Sequence, residues 1–101
     1  MFVKRGETLP TRSKMLSWNQ MMEITGMGRT KVMEILEIGW IEPAKTNEQE
    51  YLFRLEDVYR MKKLNRICAD LEVTTVGGSI IVDLLERIER LEQQVEELSR
   101  R

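Results

Sequence analysis

Residues 17–39 read Ser17-Trp18-Asn19-Gln20-Met21-Met22-Glu23-Ile24-Thr25-Gly26-Met27-Gly28-Arg29-Thr30-Lys31-Val32-Met33-Glu34-Ile35-Leu36-Glu37-Ile38-Gly39, and the fold turns on them. Ser17 with Gln20 three residues on is a capping box. The hydroxyl accepts from the Gln20 amide, and the Gln20 side chain reaches back to the Ser17 amide. A short helix follows to about Ile24, with Trp18, Met21 and Met22 turned inward. Gly26-Met27-Gly28 is a tight turn, because glycine enters backbone regions that other residues avoid. A second helix runs from about Arg29 to Glu37, with Val32, Ile35 and Leu36 as its inward stripe. Gly39 ends it in the position where helices favour glycine. Helix, tight turn and helix in so short a span form a helix-turn-helix.

Working toward the C-terminus, Trp40-Ile41-Glu42-Pro43 is extended, since the residue before proline is pushed out of the helical region. Residues 44–49 are polar and turn-like, and Glu50-Tyr51-Leu52-Phe53 alternates as a short strand. Strand, loop and strand after a helix-turn-helix make a wing. A third helix follows from about Leu55 to Asp70, with Leu55, Val58, Met61, Leu64 and Leu71 on one stripe and Cys68 on or beside it. A small buried thiol is the expected role of Cys68. Residues 71–78, closed by Gly77-Gly78, read as a hinge. Beyond it, Ile81, Leu84, Ile88, Leu91, Val95 and Leu98 recur at alternating spacings of three and four, a coiled-coil seam flanked by Glu, Arg and Gln. Val82 and Leu85 widen its apolar face at the start. One seam cannot bury itself, and a small head cannot cover a helix of about 30 Å. A homodimer through residues 79–101 is therefore expected, with its seams face to face; antiparallel pairing is favoured, but the sequence does not fix the direction.

Composition removes several classes. The 101 residues include no histidine, which excludes imidazole acid–base catalysis and histidine metal sites. One cysteine allows neither an intrachain disulfide nor a cysteine metal cluster. No apolar run reaches the roughly 18 residues of a membrane span, and residues 1–5 lack a signal-peptide core. The expected setting is cytoplasmic. The carboxylates cluster on a regular helix and no phosphate-cradling glycine loop occurs, so neither an enzyme nor a cofactor is expected. Net charge is −1, but it is unevenly spread. Residues 1–16 carry four basic groups against one acid and read as a basic arm, whereas residues 71–101 carry four against seven. Met21, Met22, Met27, Met33 and Met61 fall on helical stripes as core filler, with Met27 and Met33 nearest the outward side.

Thr25-Gly26-Met27-Gly28-Arg29-Thr30-Lys31, Ile38-Gly39-Trp40-Ile41-Glu42-Pro43 and Tyr51-Leu52-Phe53-Arg54-Leu55-Glu56-Asp57-Val58 together resemble the MerR-type winged helix-turn-helix over roughly residues 17–98. Leu71-Glu72-Val73 and Gly77-Gly78-Ser79-Ile80-Ile81-Val82-Asp83-Leu84-Leu85-Glu86-Arg87-Ile88 resemble the CbpM chaperone-modulator branch, and repressors of the HspR type carry a similar tail. The implied fold is mainly α: a MerR-like winged helix-turn-helix head over residues 17–70, then a long C-terminal coiled-coil-like helix. The CbpM resemblance implies a protein that binds the J-domain of a DnaJ- or CbpA-like co-chaperone and restrains its work with Hsp70. J-domains carry a basic helix. Glu34, Glu37, Glu42, Glu48 and Glu50 are the acids available to meet it, and Trp40, read as a plug between the second helix and the wing, is an aromatic anchor if partly exposed.

The alternative is a dimeric MerR-type transcription regulator on double-stranded DNA. Arg29, Thr30 and Lys31 would then enter the major groove, the end at which such helices dock. Lys45 on the wing and Arg60, Lys62 and Lys63 on the third helix would meet phosphates. Against this, Met33, Glu34 and Ile35 stand where MerR-type regulators usually place Arg and Tyr. A lost bidentate base contact costs about 1–3 kcal/mol. Arg54, Arg60, Lys62, Lys63 and Arg66 also read as a solvated face paired to Glu56, Asp57 and Asp70.

Overall fold

The structure, a computed structural model, describes residues 14–100. In chain order it contains β1 (Met15–Leu16), α1 (Trp18–Thr25), α2 (Arg29–Glu37), β2 (Ala44–Lys45), β3 (Tyr51–Arg54), α3 (Leu55–Leu71) and α4 (Thr75–Ser99). The basic arm expected over residues 1–16 lies outside the described residues up to residue 13. Its last two residues form strand β1.

The capping box that opens α1 is formed. The Gln20 amide donates to Ser17 Oγ at 3.2 Å, and the Ser17 amide donates to Gln20 Oε1 at 2.8 Å. At the other end Gly26 takes φ +69°, a conformation that costs glycine little, and its amide donates to the Met22 carbonyl. Asn65 Nδ2 on α3 donates to the Thr25 carbonyl at 3.1 Å, satisfying a helix-end oxygen from a neighbouring element. The turn folds Met27 inward, and its amide donates to Thr25 Oγ1 at 3.2 Å. Met27 is therefore core, not outward-facing, while Met33 stays exposed. Helix α2 follows and is capped at Ile38, and Gly39 just beyond it takes φ +75°.

The wing is an antiparallel sheet in the order β1-β3-β2, with Leu16 opposite Phe53 and Ala44 opposite Leu52. Strand β3 is central because it pairs with both β1 and β2, and its Phe53 is completely buried. Met21, Val32, Ile35, Phe53, Val58, Met61, Leu64 and Val82 are the largest fully buried side chains. One residue from each of α1, β3 and α4 thus joins the stripes of α2 and α3. The core belongs to the head and to the first turns of the last helix together.

The expected hinge over residues 71–78 is shorter. Only Glu72 to Thr74 separate α3 from α4. Thr74 caps α4 by accepting from the Gly77 amide at 3.0 Å, and Gly77 and Gly78 lie inside the helix. The physical reason is close packing. A Cβ on Gly78 would stand 2.6 Å from Leu64 Cδ1 and 2.7 Å from Cys68 Sγ. The glycine lets α4 approach α3, and that burial offsets the conformational cost of glycine in a helix. Cys68 is buried, as its stripe predicts. Thr75, Gly78, Ser79 and Val82 form the face of α4 against the head, whereas Leu85, expected beside Val82, is exposed. At about 1.5 Å per residue the 25-residue helix runs about 37 Å and outreaches the head. Among the described residues no helix is long and apolar enough to cross a membrane.

Candidate functional site

Three surfaces stand out. The first is a groove of about 450 Å³ between the start of α1, the start of α2 and the wing. Trp18, Met33, Tyr51 and Leu52 give it an apolar floor, and Asn19, Arg29, Gln49 and Glu50 stand around it. The rings are clustered: Trp18 and Tyr51 are 5.9 Å apart, and each lies 6.1 Å from Phe53. Arg29 stacks over Trp18 at 5.6 Å, and Lys45 over Tyr51 at 5.2 Å. Both separations lie within the range at which a cation is attracted to a ring face. Two candidate cations, one at the tip of α2 and one on the wing, therefore flank a single aromatic pair. The wing turn is held by Thr46, whose hydroxyl accepts from the Glu48 and Glu50 amides at 3.2 and 3.1 Å.

The second is a clamp between the head and α4. The Arg60 guanidinium lies 4.3 Å over Trp40. It donates to Asp83 Oδ1 at 2.9 Å and to Glu86 Oε2 at 3.0 Å. Trp40 Nε1 donates to the same Asp83 oxygen at 3.0 Å. On another edge of the contact, Thr75 Oγ1 donates to Glu34 Oε1 at 2.9 Å. Thr75 is itself buried, and it is the first residue of α4, where a helix favours negative charge.

The clamp revises two expectations. Arg60 is bound to two carboxylates and an indole of its own chain, so it does not stand free for a phosphate. Its acids are Asp83 and Glu86 on α4, not the Glu56, Asp57 or Asp70 expected from nearby sequence; only Arg54 keeps to that set, pairing with Glu56 and Asp57. Glu34 accepts from Thr75 and so ties α2 to α4, while the residue itself stays exposed. Trp40 is half-buried against the core, with Arg60 over its ring. Of the remaining candidates, Thr30, Glu37, Glu48, Glu50 and Lys62 are exposed, and Lys31 and Lys63 are half-buried. The groove brings Arg29 and Glu50 together and leaves Lys62 and Lys63 on α3. Sequence reading did not bring Trp18 and Tyr51 together as the floor of a groove. The signal available was an aromatic at each end of the helix-turn-helix and wing, both next to polar residues.

The third surface is the seam. Leu84, Ile88, Leu91, Val95 and Leu98 are all about half exposed or more, with Ile80 and Leu85 beside them; Ile81 is half-buried. At 3.6 residues per turn this stripe lies on the side of α4 away from Thr75, Gly78, Ser79 and Val82. The head cannot cover it.

A helix-turn-helix carried on a wing, with a long apolar-striped helix behind it, defines the class as a winged helix-turn-helix protein. The chain belongs to the MerR helix-turn-helix family of regulatory proteins, whose model, described as MerR HTH family regulatory protein, matches residues 16–100. Within that family it is CbpM-like. It is similar to the chaperone modulatory protein CbpM of three Coxiella burnetii strains, each 30% identical over 89 residues, covering 88% of this chain and 84% of the relative.

Proposed function

We propose that this chain is a non-enzymatic, cytoplasmic regulator that dimerises through α4 and binds the J-domain of a DnaJ-like co-chaperone, restraining its work with the Hsp70 chaperone. Similarity to chaperone modulatory proteins over most of both chains supports this reading. The observation that carries it at the level of residues is Glu34. A recognition helix that reads DNA needs donors and cations on its outer face. Here that face spends Glu34 on an internal hydrogen bond to Thr75 and exposes Met33 to the groove. An apolar and aromatic floor beside Met33 suits a protein side chain better than a phosphate. On this reading the partner meets Trp18, Met33 and Tyr51, with Glu48 and Glu50 placed to pair with its cations. Glu37 and Trp40 stand as weaker candidates outside the groove.

The test is the ATPase of an Hsp70 chaperone stimulated by its J-domain protein. Added in molar excess over the co-chaperone, this chain is expected to lower the stimulation and leave the unstimulated rate alone. An unchanged stimulated rate sinks the reading.

A second reading, a dimeric DNA-binding transcription regulator, is favoured by one observation. Arg29, Thr30 and Lys31 open α2, and Lys45 stands on the wing on the other side of the same aromatic pair. Lys62 and Lys63 would add phosphate contacts. This reading requires duplex binding that falls steeply with salt.

A further inference from the structure

The groove on the head carries both signs of charge, and they do not cancel one another. Arg29 and Glu50 line it together. Among the described residues neither makes an ion pair, and neither do Lys45 and Glu48 on the wing. Both cations are held by rings instead, Arg29 at 5.6 Å from the Trp18 centre and Lys45 at 5.2 Å from that of Tyr51. A ring face attracts a cation without neutralising it. The Arg29 guanidinium keeps a planar fork of donors whose geometry matches a carboxylate. It keeps that fork beside an apolar floor to which Met33, Tyr51 and Leu52 contribute. A hydrogen bond between two charged groups is about twice as strong as a neutral one.

We infer that this groove is the seat of one apolar partner side chain with a carboxylate beside it, the apolar group on Trp18, Met33 and Leu52 and the carboxylate on Arg29. The partner's identity rests on the J-domain reading; the chemistry of the seat does not. The charges give the docking a direction. The acidic flank of the partner's anchor points to the start of α2, and its basic flank to Glu48 and Glu50 on the wing. Arg29 then selects a protein side chain and reads no base.

The size of the groove agrees. Sites for small ligands run from roughly 300 to 1,000 Å³. At about 450 Å³ this one takes a side chain or two. A nucleic-acid backbone suits the same cations less well. Each strand of a duplex carries a charge about every 3.4 Å, so phosphates laid along Arg29 and Lys45 would also meet Glu48 and Glu50. Those two acids are fixed in place, because the Thr46 hydroxyl accepts from both their amides. A protein segment avoids the conflict by setting one carboxylate on Arg29 and cations on the wing.

Phenylpropionate is the probe, an aromatic ring on a short arm that ends in a carboxylate. Phenylpropionamide has the same shape without the charge. Each is titrated into the isotope-labelled full-length chain, and NMR follows the Trp18 indole N–H and the Met33 methyl. The Trp40 indole N–H, which donates to Asp83, is the internal reference that stays still. Phenylpropionate is expected to move both groove signals and to bind roughly three- to tenfold more tightly than the amide. Arg29→Gln, at an exposed position, is expected to remove that preference. Arg29→Lys is expected to keep part of it, since an ammonium supplies the charge without the fork. Equal binding of acid and amide, or binding of neither, overturns the seat. Inorganic phosphate moving the same signals at the same concentration overturns it in favour of a nucleic-acid backbone. Unlabelled J-domain is then added to the sample that holds phenylpropionate. Displacement of the probe supports both the seat and its partner. J-domain binding that leaves the probe in place overturns the groove as the J-domain's seat. No J-domain binding, with the probe still bound, supports the seat and overturns the chaperone reading alone.

Discussion

Gly78→Ala tests the close approach that seats α4 on the head. In an exposed helix alanine is favoured over glycine by about 1 kcal/mol. Position 78 opposes that gain. The new methyl would stand 2.6 Å from Leu64 Cδ1 and 2.7 Å from Cys68 Sγ, against the roughly 3.5–4.0 Å of ordinary carbon contacts. Leu64 is fully buried and cannot swing into solvent. Overpacking of this kind costs typically about 1–3 kcal/mol. The steric cost wins, with a net loss of about 1 kcal/mol and a Tm lower by roughly 4–8 °C for a domain of this size. Gly77→Ala is the internal control. Its Cβ meets Thr74 Oγ1 at 3.2 Å on a half-exposed turn, so it is expected to be neutral or mildly stabilising. The assay is thermal unfolding followed by circular dichroism at one fixed protomer concentration, because a self-associating chain has a concentration-dependent Tm. Cys68→Ala in the Gly78→Ala background is expected to recover part of the loss, since the two substitutions share a contact. A Gly78→Ala protein as stable as the wild type, with Gly77→Ala no better, would refute the close-packing argument.

Three further outcomes follow from the same geometry. Ser17→Ala removes the Oγ that accepts from the Gln20 amide and leaves the return bond from the residue 17 amide in place, and is expected to cost about 1 kcal/mol in denaturant unfolding without a change in m. Arg60→Ala leaves Asp83 and Glu86 without their cation and uncovers Trp40; about 1 kcal/mol is expected, and hydrogen exchange should rise over the first turns of α4. Arg60→Lys is expected not to rescue it, because a lysine offers neither the stacked plane nor the fork. Leu91→Asp places a charge in the middle of the seam and is expected to give a monomer by sedimentation while the far-ultraviolet spectrum of the head persists.

Much of this fold is readable from local signals. The Ser17–Gln20 box, the Gly26 and Gly39 turns and the 3–4 stripes of α2, α3 and α4 depend on neighbours a few residues apart, and they lie where the pattern predicts except for Leu71, placed on the inward stripe of α3 but exposed at the end of that helix. The misreadings involve residues whose structure is set from a distance. Gly77-Gly78 reads as a break because glycine has poor helix propensity, and only Leu64 and Cys68 on another helix explain why it is helical. Strand β1 is two residues long, too short to show an alternation, and exists through its pairing with Phe53 and Arg54. Glu34 and Arg60 look like surface charges from their own helices. Their partners Thr75, Asp83 and Glu86 lie 23 to 41 residues away in sequence, where periodicity carries no information. The groove was hidden for the same reason, since Trp18, Met33 and Tyr51 meet only once α1, α2 and the wing are assembled.

The central claim is that this winged helix recognises a protein. Fluorescence anisotropy tests it most directly, with a labelled J-domain and a labelled random-sequence duplex titrated side by side at about 50 and 200 mM salt. The account predicts saturable J-domain binding at micromolar concentration or tighter, lost in Met33→Asp, and little duplex binding at either salt. Tight duplex binding that collapses between the two salt concentrations, with no J-domain signal, would contradict it and leave the transcription regulator as the reading.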